Sequence, residues 1–480
     1  MGRTITAVMD PIFRHAQADP DALALWTPLE QWTYGEFIAV IAKKERRLAH
    51  ANIKEGARVA LGLPNTPSMI ALLWALWRRG AVAVPLSTRL PPREALRQAQ
   101  PVGCTALITA DPEMRAAGRA ADVRILSPNE HIQTDGGEGS PLESSQSLSD
   151  DQPATILFTS GSTGTPKAAL HTWGNHRYSA KGANANLPLQ PGDRWLLSLP
   201  LYHVGGLAIL VRCALAGAAV VLSPDAPLHE SLRTTDATHV SLVATQLRRL
   251  LDAKTGGPPD ALRAVLLGGG PIPDSLLRRG RERGWPLLTS YGCTEMASQV
   301  TTTAPGDSLD DLSTAGRRLH HRRVRIVDDE IQVKGAPLFR GYVTDEGLDD
   351  PRTDDGWYRT GDRGCLDASG RLHVTGRIDR MFVSGGENIQ PEEIEMTLEQ
   401  LDAVERAVVV PVSHPEYGHR PVAFVRLRTD VDCPDFERVL RRRLPGFKIP
   451  DAFHSLPDEG DSEGLKIDRS ALRERAHKLR

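Results

Sequence analysis

The residues from Thr159 to Lys167 carry the side chains best suited to chemistry in this sequence. They read Thr-Ser-Gly-Ser-Thr-Gly-Thr-Pro-Lys, and the apolar run from Ala154 to Phe158 before them is typical of a buried strand. Hydroxyl and backbone N–H groups donate hydrogen bonds, glycine lets a ligand approach the backbone, and lysine adds a positive charge. A strand that ends in such a loop suits polyphosphate. The predicted phosphate-binding residues are Thr159, Ser160, Gly161, Ser162, Thr163, Gly164 and Lys167.

This loop is not a Walker A motif, because Thr165 and Pro166 separate Gly164 from Lys167. Pro166 also prevents a helix from running smoothly through the loop. The alternative is an ordinary Ser/Thr/Gly surface loop. The preceding strand and the closing Pro-Lys favour phosphate binding. Lysine is scarce in this chain, with ten among the 58 lysines and arginines, which makes a lysine inside a motif more informative.

Two further polar or glycine-rich loops follow predicted strands. Gly268-Gly269-Gly270 comes after the predicted strand from Leu262 to Leu267, and Tyr291-Gly292-Cys293-Thr294-Glu295 comes after the predicted strand from Leu287 to Ser290. In open α/β sheets, ligands bind outside the carboxyl ends of the strands. We therefore expect a ligand site at this edge of a sheet.

The composition excludes several classes of protein. The 480 residues are too many for one compact core, so we expect at least two domains. A net charge of −2 argues against a general nucleic-acid-binding protein. The five cysteines are scattered without a C-x-x-C pair, which favours reduced thiols in the cytoplasm over a zinc site. No apolar run is long enough to span a membrane.

Alternation of strands and helices through most of the chain predicts an α/β protein with parallel sheets. From about Arg323 the short alternating segments predict a small antiparallel β region. A smaller α+β region follows it. We predict a large N-terminal domain over residues 1–376 and a mobile C-terminal domain over residues 377–480.

Several motifs, in order along nearly the whole chain, resemble those of the adenylate-forming superfamily, which includes acyl-CoA synthetases, adenylation domains and luciferases. They are Thr159 to Lys167, Tyr291 to Glu295, Trp357 to Asp362, Gly376 to Asp379 and Gly464-Leu465-Lys466. Stretches such as Ser384 to Glu395 and Pro415 to Val422 resemble more closely the family of 2-succinylbenzoate–CoA ligases of menaquinone biosynthesis. The segment from Ala315 to His320 departs from the pattern, because it lacks a glycine and the prolines usual there, and an Arg/His cluster follows it.

The resemblance implies a two-step reaction with ATP, Mg²⁺ and coenzyme A. A carboxylate attacks the α-phosphate and expels pyrophosphate, and the coenzyme A thiol then displaces AMP. Glu295 would ligate Mg²⁺, since hard oxygen suits that ion, Thr294 would bind the α-phosphate, and Lys466 would bridge the carboxylate and the α-phosphate. In isolation, Thr294 and Glu295 could be plain capping residues and Lys466 an exposed tail lysine.

The resemblance also assigns the nucleoside contacts. Asp362 would accept both ribose hydroxyls, with Arg377 supporting the ribose or a phosphate. Gly268, Gly269 and Gly270 would form a wall for adenine, and Tyr291, followed by Gly292, would stack on the base. The alternatives are a turn aspartate, a surface arginine and a glycine-rich turn.

The acid would bind beside an apolar helix that carries one charge, Arg212. A buried guanidinium needs an anionic or strongly polar partner, and 2-succinylbenzoate has a second carboxylate that the reaction does not consume. We hypothesise that Arg212 pairs with it; the alternative is an arginine that reaches solvent. His203, Ser298 and Gln299 are further predicted pocket residues, with His203 also a candidate catalytic residue or a plain core histidine.

Because Lys466 would obstruct the second step, the resemblance implies that the C-terminal domain rotates about Asp379 between steps. Gly385 and Gly386 would then help to form the coenzyme A channel. A homo-oligomer is possible. Two other functions stay open: a ligase for another aryl or medium-chain acid, and a non-catalytic nucleotide-binding regulatory protein.

Overall fold

The computed structural model of the protein describes residues 7–128, 147–159, 166–223, 226–253, 256–428, 434–457 and 468–479. Within these ranges the two largest sheets have eight and nine strands. The predicted α/β class is therefore confirmed. Both sheets are mixed, because hairpins extend their parallel centres.

The eight-stranded sheet has its parallel strands at one end and antiparallel pairs at the other. In spatial order, its strands are Gly347–Asp349, Gly341–Thr344, Lys167–Thr172, Pro153–Thr159, Val82–Pro85, Arg58–Gly62, Ala106–Thr109 and Arg124–Leu126. Its central strands are buried on both faces, as their continuous apolar sequences predict.

The nine-stranded sheet carries several of the predicted site residues. In spatial order, its strands are Arg317–Arg318, Ser298–Thr302, Leu287–Cys293, Ala264–Leu267, His239–Leu242, Arg194–Leu196, Ala219–Val221, Leu23–Trp26 and Gln31–Thr33. The strands from Arg194–Leu196 to Leu287–Cys293 run parallel. Their carboxyl ends therefore meet at one edge of the sheet.

Helices join these two sheets in one hydrophobic core. The described α-helices are Pro11–Ala18, Tyr34–His50, Pro67–Arg78, Pro92–Ala99, Pro112–Ala120, Trp173–Asn186, Val204–Ala216, Leu228–Thr234, Ala244–Asp252, Asp274–Glu282, Leu309–Leu312, Pro391–Glu399, Phe436–Leu440 and Arg469–Lys478. The helix Tyr34–His50 begins at Tyr34 because Thr33 and Glu36 cap each other's backbone N–H groups. At the centre of the core, the ring of Trp74 lies 5.0 Å from that of Trp77 and 5.6 Å from that of Trp173.

The smaller β region is antiparallel, as the sequence predicts. Its strands are Arg322–Val327, Glu330–Gly335, Tyr358–Leu366 and Leu372–Arg377. The C-terminal region has its own core and a sheet formed by Glu387–Ile389, Phe382–Ser384, Gly418–Leu427, Val404–His414 and Phe453–Ser455. A separate pair joins Ala7–Met9 to Ser147–Ser149. The division at residue 376 stays a prediction.

One predicted loop is part of a strand. Tyr291, Gly292 and Cys293 continue the strand from Leu287 and pair antiparallel with Ser298–Thr302. The pairing is possible because Gly292 has no side chain: a Cβ there would lie 2.2 Å from the carbonyl oxygen of Ser298. The chain thus reverses sharply just after the strand and brings Thr294 and Glu295 beside Tyr291.

Among the helices that the structure describes, none is long and apolar enough to cross a membrane.

Candidate active site

Thr159 and Lys167 lie opposite each other, because the strands that carry them pair antiparallel with these two residues in register. Ser160, Gly161, Ser162, Thr163 and Gly164 lie outside the described residues. The ammonium of Lys167 is 5.0 Å from the centre of the Tyr342 ring, which is cation–π distance. The end of the predicted phosphate loop is therefore placed beside Tyr342.

Tyr342 also holds Glu295, so the predicted metal ligand lies next to the predicted phosphate loop. The Tyr342 hydroxyl donates to Oε1 of Glu295 at 2.7 Å and lies 2.8 Å from the Tyr358 hydroxyl. Glu295 is 8% exposed. A carboxylate oxygen in this position, close to the predicted phosphate loop, has the chemistry of a Mg²⁺ ligand.

This contact predicts the effect of Tyr342→Phe. A hydrogen bond to a charged group is worth about 1.5–3 kcal/mol, and its loss should leave Glu295 less fixed. We expect the Mg²⁺ concentration for half-maximal adenylation to rise about tenfold or more, measured as acid-dependent exchange of labelled pyrophosphate into ATP. Tyr358→Phe is the matched control and should have a smaller effect, because the described contact of its hydroxyl is with Tyr342 rather than Glu295. An unchanged Mg²⁺ dependence in Tyr342→Phe would contradict the role given to Glu295.

Thr294 is held from behind by His171. The imidazole Nε2 of His171 donates to the carbonyl oxygen of Thr294 at 2.7 Å. His171 is fully buried, and burial lowers its pKa to about 4. The ring of His176 lies 5.1 Å away, and burial and His171 lower its pKa as well. Both rings are therefore neutral at pH 7.

The lowered pKa values of His171 and His176 predict how the free energy of unfolding depends on pH. Between pH 6.5 and about 4 the unfolded chain binds protons at His171 that the folded chain does not, so the free energy of unfolding should fall as the pH falls. One pKa unit corresponds to about 1.4 kcal/mol, so His171 alone should account for roughly 3 kcal/mol by pH 4. The test is denaturant unfolding across this range. A His171→Gln/His176→Gln variant should show a shallower slope, and equal slopes would contradict the assignment.

Asp362 lies at the centre of the predicted ribose site. The Tyr291 hydroxyl donates to its Oδ2 at 2.6 Å, and Nη1 of Arg377 donates to its Oδ1 at 3.0 Å. Burial raises the pKa of Asp362, although the Tyr291 hydrogen bond and the Arg377 charge oppose the rise. Tyr291 thus binds the predicted ribose residue through its hydroxyl, which the sequence prediction of base stacking does not include.

Arg377 connects Asp362 to the predicted hinge. Its Nε and Nη2 donate to the two carboxylate oxygens of Asp379 at 3.0 and 2.9 Å. This bidentate pair and the Asp362 charge raise the pKa of Arg377. One guanidinium therefore joins the predicted ribose residue Asp362 to the predicted hinge residue Asp379.

The predicted adenine wall begins where the strand Ala264–Leu267 ends. A Cβ on Gly268 would lie 2.9 Å from Oγ of Ser290, and Gly269 has a φ of +84°, which favours glycine. Ser290 donates its hydroxyl to the carbonyl of Leu267 at 2.8 Å. Gly268, Gly269 and Gly270 therefore lie beside the strand that carries Tyr291.

Arg212 does not reach solvent, so that alternative is wrong. It is 2% exposed, its Nη2 donates to Oγ of Ser298 at 3.3 Å, and its guanidinium lies 5.3 Å from the centre of the Trp195 ring. Burial lowers its pKa to about 10, so it is cationic at pH 7. No carboxylate pairs with it among the described residues. The site therefore contains a buried positive charge that an anion could neutralise.

The shelf formed by Ala297 and Ser298 faces Arg212 in an unusual backbone conformation. Ala297 and Ser298 have φ angles of 50° and 113°, which non-glycine residues rarely adopt. Such conformations persist where the surrounding structure imposes them, and they cluster at functional sites. Gln299, the next residue, is buried and donates from Nε2 to Oγ1 of Thr302 at 2.5 Å.

Three other regions were predicted to belong to the site: His203, the Gly385–Gly386 turn and Lys466. His203 precedes the helix Val204–Ala216, and its ring lies 4.6 Å from that of Tyr202. Gly385 and Gly386 form a left-handed turn in which the Gly385 N–H donates to the carbonyl of Tyr417 at 2.9 Å. Lys466 lies outside the described residues.

Tyr342 and His171 contact the predicted site residues but were not themselves predicted. Each acts on a predicted site residue from a distant part of the chain, Tyr342 on Glu295 and His171 on Thr294. Neither lies in a glycine-rich or charged motif of its own, so only tertiary contact reveals it.

Two models of known protein families match this chain. Residues 12–343 match the AMP-binding enzyme family, and residues 393–460 match the AMP-binding enzyme C-terminal domain. The chain belongs to the AMP-binding enzyme family.

Its full-length relatives define the group within that family. The chain is 34% identical to the 2-succinylbenzoate–CoA ligase of Bacillus velezensis, with 96% of this chain and 97% of the relative covered. It is 36% identical to the Escherichia coli 2-succinylbenzoate–CoA ligase, again with 96% and 97% covered. The o-succinylbenzoate CoA synthetase of Bacillus subtilis, solved with its acyl-adenylate intermediate, superposes with a TM-score of 0.89 at 31% identity over 98% of this chain and 99% of that one. The predicted resemblance is confirmed.

Proposed function

We propose that this chain is an ATP-dependent acid–CoA ligase that converts 2-succinylbenzoate to 2-succinylbenzoyl-CoA, a step of menaquinone biosynthesis, in the cytoplasm. Its full-length relatives are 2-succinylbenzoate–CoA ligases. Solved relatives contain the acyl-adenylate, AMP, or ATP with a magnesium ion. Within this chain, the proposal rests on the buried cation Arg212, which has no carboxylate partner among the described residues. Arg212 contacts Ser298, and the strand that begins at Ser298 pairs with the strand that carries Tyr291.

In the first step, a carboxylate oxygen of the acid attacks the α-phosphorus of ATP, and pyrophosphate leaves. The loop from Thr159 to Lys167 would bind the β- and γ-phosphates, and Thr294 the α-phosphate. Glu295 would hold Mg²⁺, which neutralises charge on the phosphate oxygens. Tyr342 would keep Glu295 and Lys167 in fixed relation, since it contacts both. Positioning and cations supply most of the acceleration in phosphoryl and acyl transfer.

The ribose contact depends on the ionisation of Asp362. Only the ionised carboxylate accepts hydrogen bonds from both ribose hydroxyls, and burial raises the pKa of this group. Tyr291 and Arg377 counteract burial by donating to the ionised form. They would also keep the carboxylate oriented toward the diol.

In the second step, the thiolate of coenzyme A attacks the acyl carbonyl, the bond to the phosphate oxygen breaks, and AMP leaves. Rotation about Asp379 would remove Lys466 and bring the turn at Gly385 and Gly386 to the thioester site. The Arg377–Asp379 pair contributes to this proposal, because a guanidinium that binds both the ribose carboxylate and the hinge can sense the nucleotide. Domain closure would exclude water from the reactive adenylate.

A substrate panel tests the proposed acid. We expect 2-succinylbenzoate to support both pyrophosphate exchange and thioester formation, with benzoate and a medium-chain acid at least about 100-fold lower in kcat/KM, because a site built for a second anion rejects acids that lack it. A better turnover of another aryl or medium-chain acid would replace the proposed substrate. Absence of exchange with every acid would favour the regulatory alternative.

A further inference from the structure

A basic cleft lies in the region where the sequence departs from the superfamily pattern. Its volume is about 850 Å³, within the range of small-molecule sites. The lining residues are Arg318, His321, Arg322, Arg323, Val324, Lys334, Gly335 and Trp357. None of them is acidic. We call this feature the basic cleft.

The cations of the basic cleft are not neutralised by carboxylates in the described part of the chain. Arg318 donates from Nη1 to the carbonyl of Arg322 at 2.7 Å, and Lys334 donates from Nζ to the carbonyl of Asp355 at 2.6 Å. The Asp355 carboxylate is bound instead by Arg325, which stacks 4.4 Å from the Trp357 ring. The cleft therefore retains its positive charge although the whole protein has a net charge of −2.

Arginine and lysine side chains act on His321, which lines the basic cleft. Burial and then the charges of Arg322, Lys181, His320 and Arg177 lower the pKa of His321. Arg177 is paired with Asp150, so its charge is neutralised. Burial is the largest cause of this decrease in the pKa of His321, and the neighbouring positive charges, which add to it, would also attract an anion.

Arg322 lines the cleft and is 1% exposed. Its Nη1 donates to the carbonyl of His320 at 2.9 Å, and its Nη2 donates to the carbonyl and hydroxyl oxygens of Ser179 at 3.0 and 2.9 Å. Its Nε is buried without a partner in the described structure. Burial and the charge of Arg212 lower the pKa of Arg322 to about 9. This guanidinium has no carboxylate partner among the described residues, and the charge of an anion in the cleft would offset part of the cost of its burial.

We propose that the basic cleft is a binding site for a diphosphate-bearing anion, separate from the nucleotide site at Asp362. Guanidinium groups bind phosphate oxygens in pairs, and Arg318 and Arg323 supply two of them beside Lys334. Free pyrophosphate and the diphosphate of a nucleotide share this chemistry. The proposal of a diphosphate site rests on the positive charge and the size of the cleft. It is independent of the acid that the enzyme activates.

The test measures binding by isothermal titration calorimetry without an acid substrate. Pyrophosphate and ADP are titrated separately into the whole chain and into an Arg318→Glu/Arg323→Glu variant. Arg322 is left intact because its partner Ser179 donates to the carbonyl of Ala297 at 2.7 Å. Substitution of Arg322 would therefore also disturb the shelf formed by Ala297 and Ser298. Arg317→Glu is the matched control: Arg317 is exposed, binds the carbonyl of Ser369, and does not line the cleft.

We expect the charge-reversal variant to lose a binding event, with affinity weaker by about tenfold or more for each lost charged contact, while Arg317→Glu keeps it. Binding at the nucleotide site should be the same in all three proteins and is subtracted. The ligand with the larger cleft-dependent affinity identifies the source of the diphosphate. Identical isotherms in the wild-type and charge-reversal proteins, or no cleft-dependent binding at millimolar ligand, would overturn the proposal.

Discussion

Lys466→Ala should nearly abolish the first half-reaction and leave the second largely intact. The proposed ammonium neutralises charge that develops between the attacking carboxylate and the α-phosphate, and removal of one such group costs about 10²–10³ in rate. We expect acid-dependent pyrophosphate exchange to fall by this factor. Thioester formation from a supplied acyl-adenylate should change less than about threefold, because Lys466 has no proposed contact in that step.

The described contacts explain why such a lysine would move with the C-terminal region. Arg469, three residues after Lys466, donates from Nη2 to Glu395 at 2.8 Å and from Nη1 to the carbonyl of Val409 at 3.0 Å. The helix that begins at Arg469 is therefore fixed to the C-terminal core. A rotation about Asp379 would carry the chain at Lys466 with it.

Lys478→Ala is the matched control for this experiment. Lys478 is an exposed lysine at the end of the same terminal helix, so its loss should leave both half-reactions unchanged. Equal loss of the two half-reactions in Lys466→Ala would indicate a general structural role. Unchanged pyrophosphate exchange would exclude the bridging role.

The strands and helices that the sequence predicts well are those whose pattern is local. The strands predicted from Ala154 to Phe158 and from Leu262 to Leu267 are present as Pro153–Thr159 and Ala264–Leu267, since local apolar sequence and burial agree there. The strand that includes Tyr291, Gly292 and Cys293 was predicted wrongly as a loop. Its pairing depends on the close approach of Ser298 to Gly292, which no local pattern encodes.

In the candidate site, too, local motifs can be recognised from the sequence and tertiary contacts cannot. Motif residues such as Glu295 and Asp362 are recognisable in the sequence, whereas the groups that fix them are not. Tyr342 is 47 residues from Glu295, and Tyr291 is 71 residues from Asp362. The family resemblance assigns Tyr291 to stacking on the base. Its hydroxyl contact could be found only from the tertiary structure.

The selectivity of the enzyme should depend on Arg212. A buried cation beside Ser298 and Trp195, without a carboxylate partner among the described residues, is destabilised by its own burial. An incoming second carboxylate would compensate for that destabilisation. Removal of one partner of a buried charge pair costs about 2–5 kcal/mol, so Arg212→Ala should lower kcat/KM for 2-succinylbenzoate by roughly 30- to 4,000-fold.

A related acid that lacks the second carboxylate separates this role from a packing role. Its kcat/KM should be low in the wild-type enzyme and change little in Arg212→Ala, since the lost interaction was never available to it. Arg212→Lys should recover only part of the activity on 2-succinylbenzoate, because an ammonium cannot donate in the planar, paired geometry of a guanidinium. Unfolding measured in parallel identifies any loss of folded protein. If Arg212→Ala turns over 2-succinylbenzoate as well as the wild type does, the second carboxylate binds elsewhere.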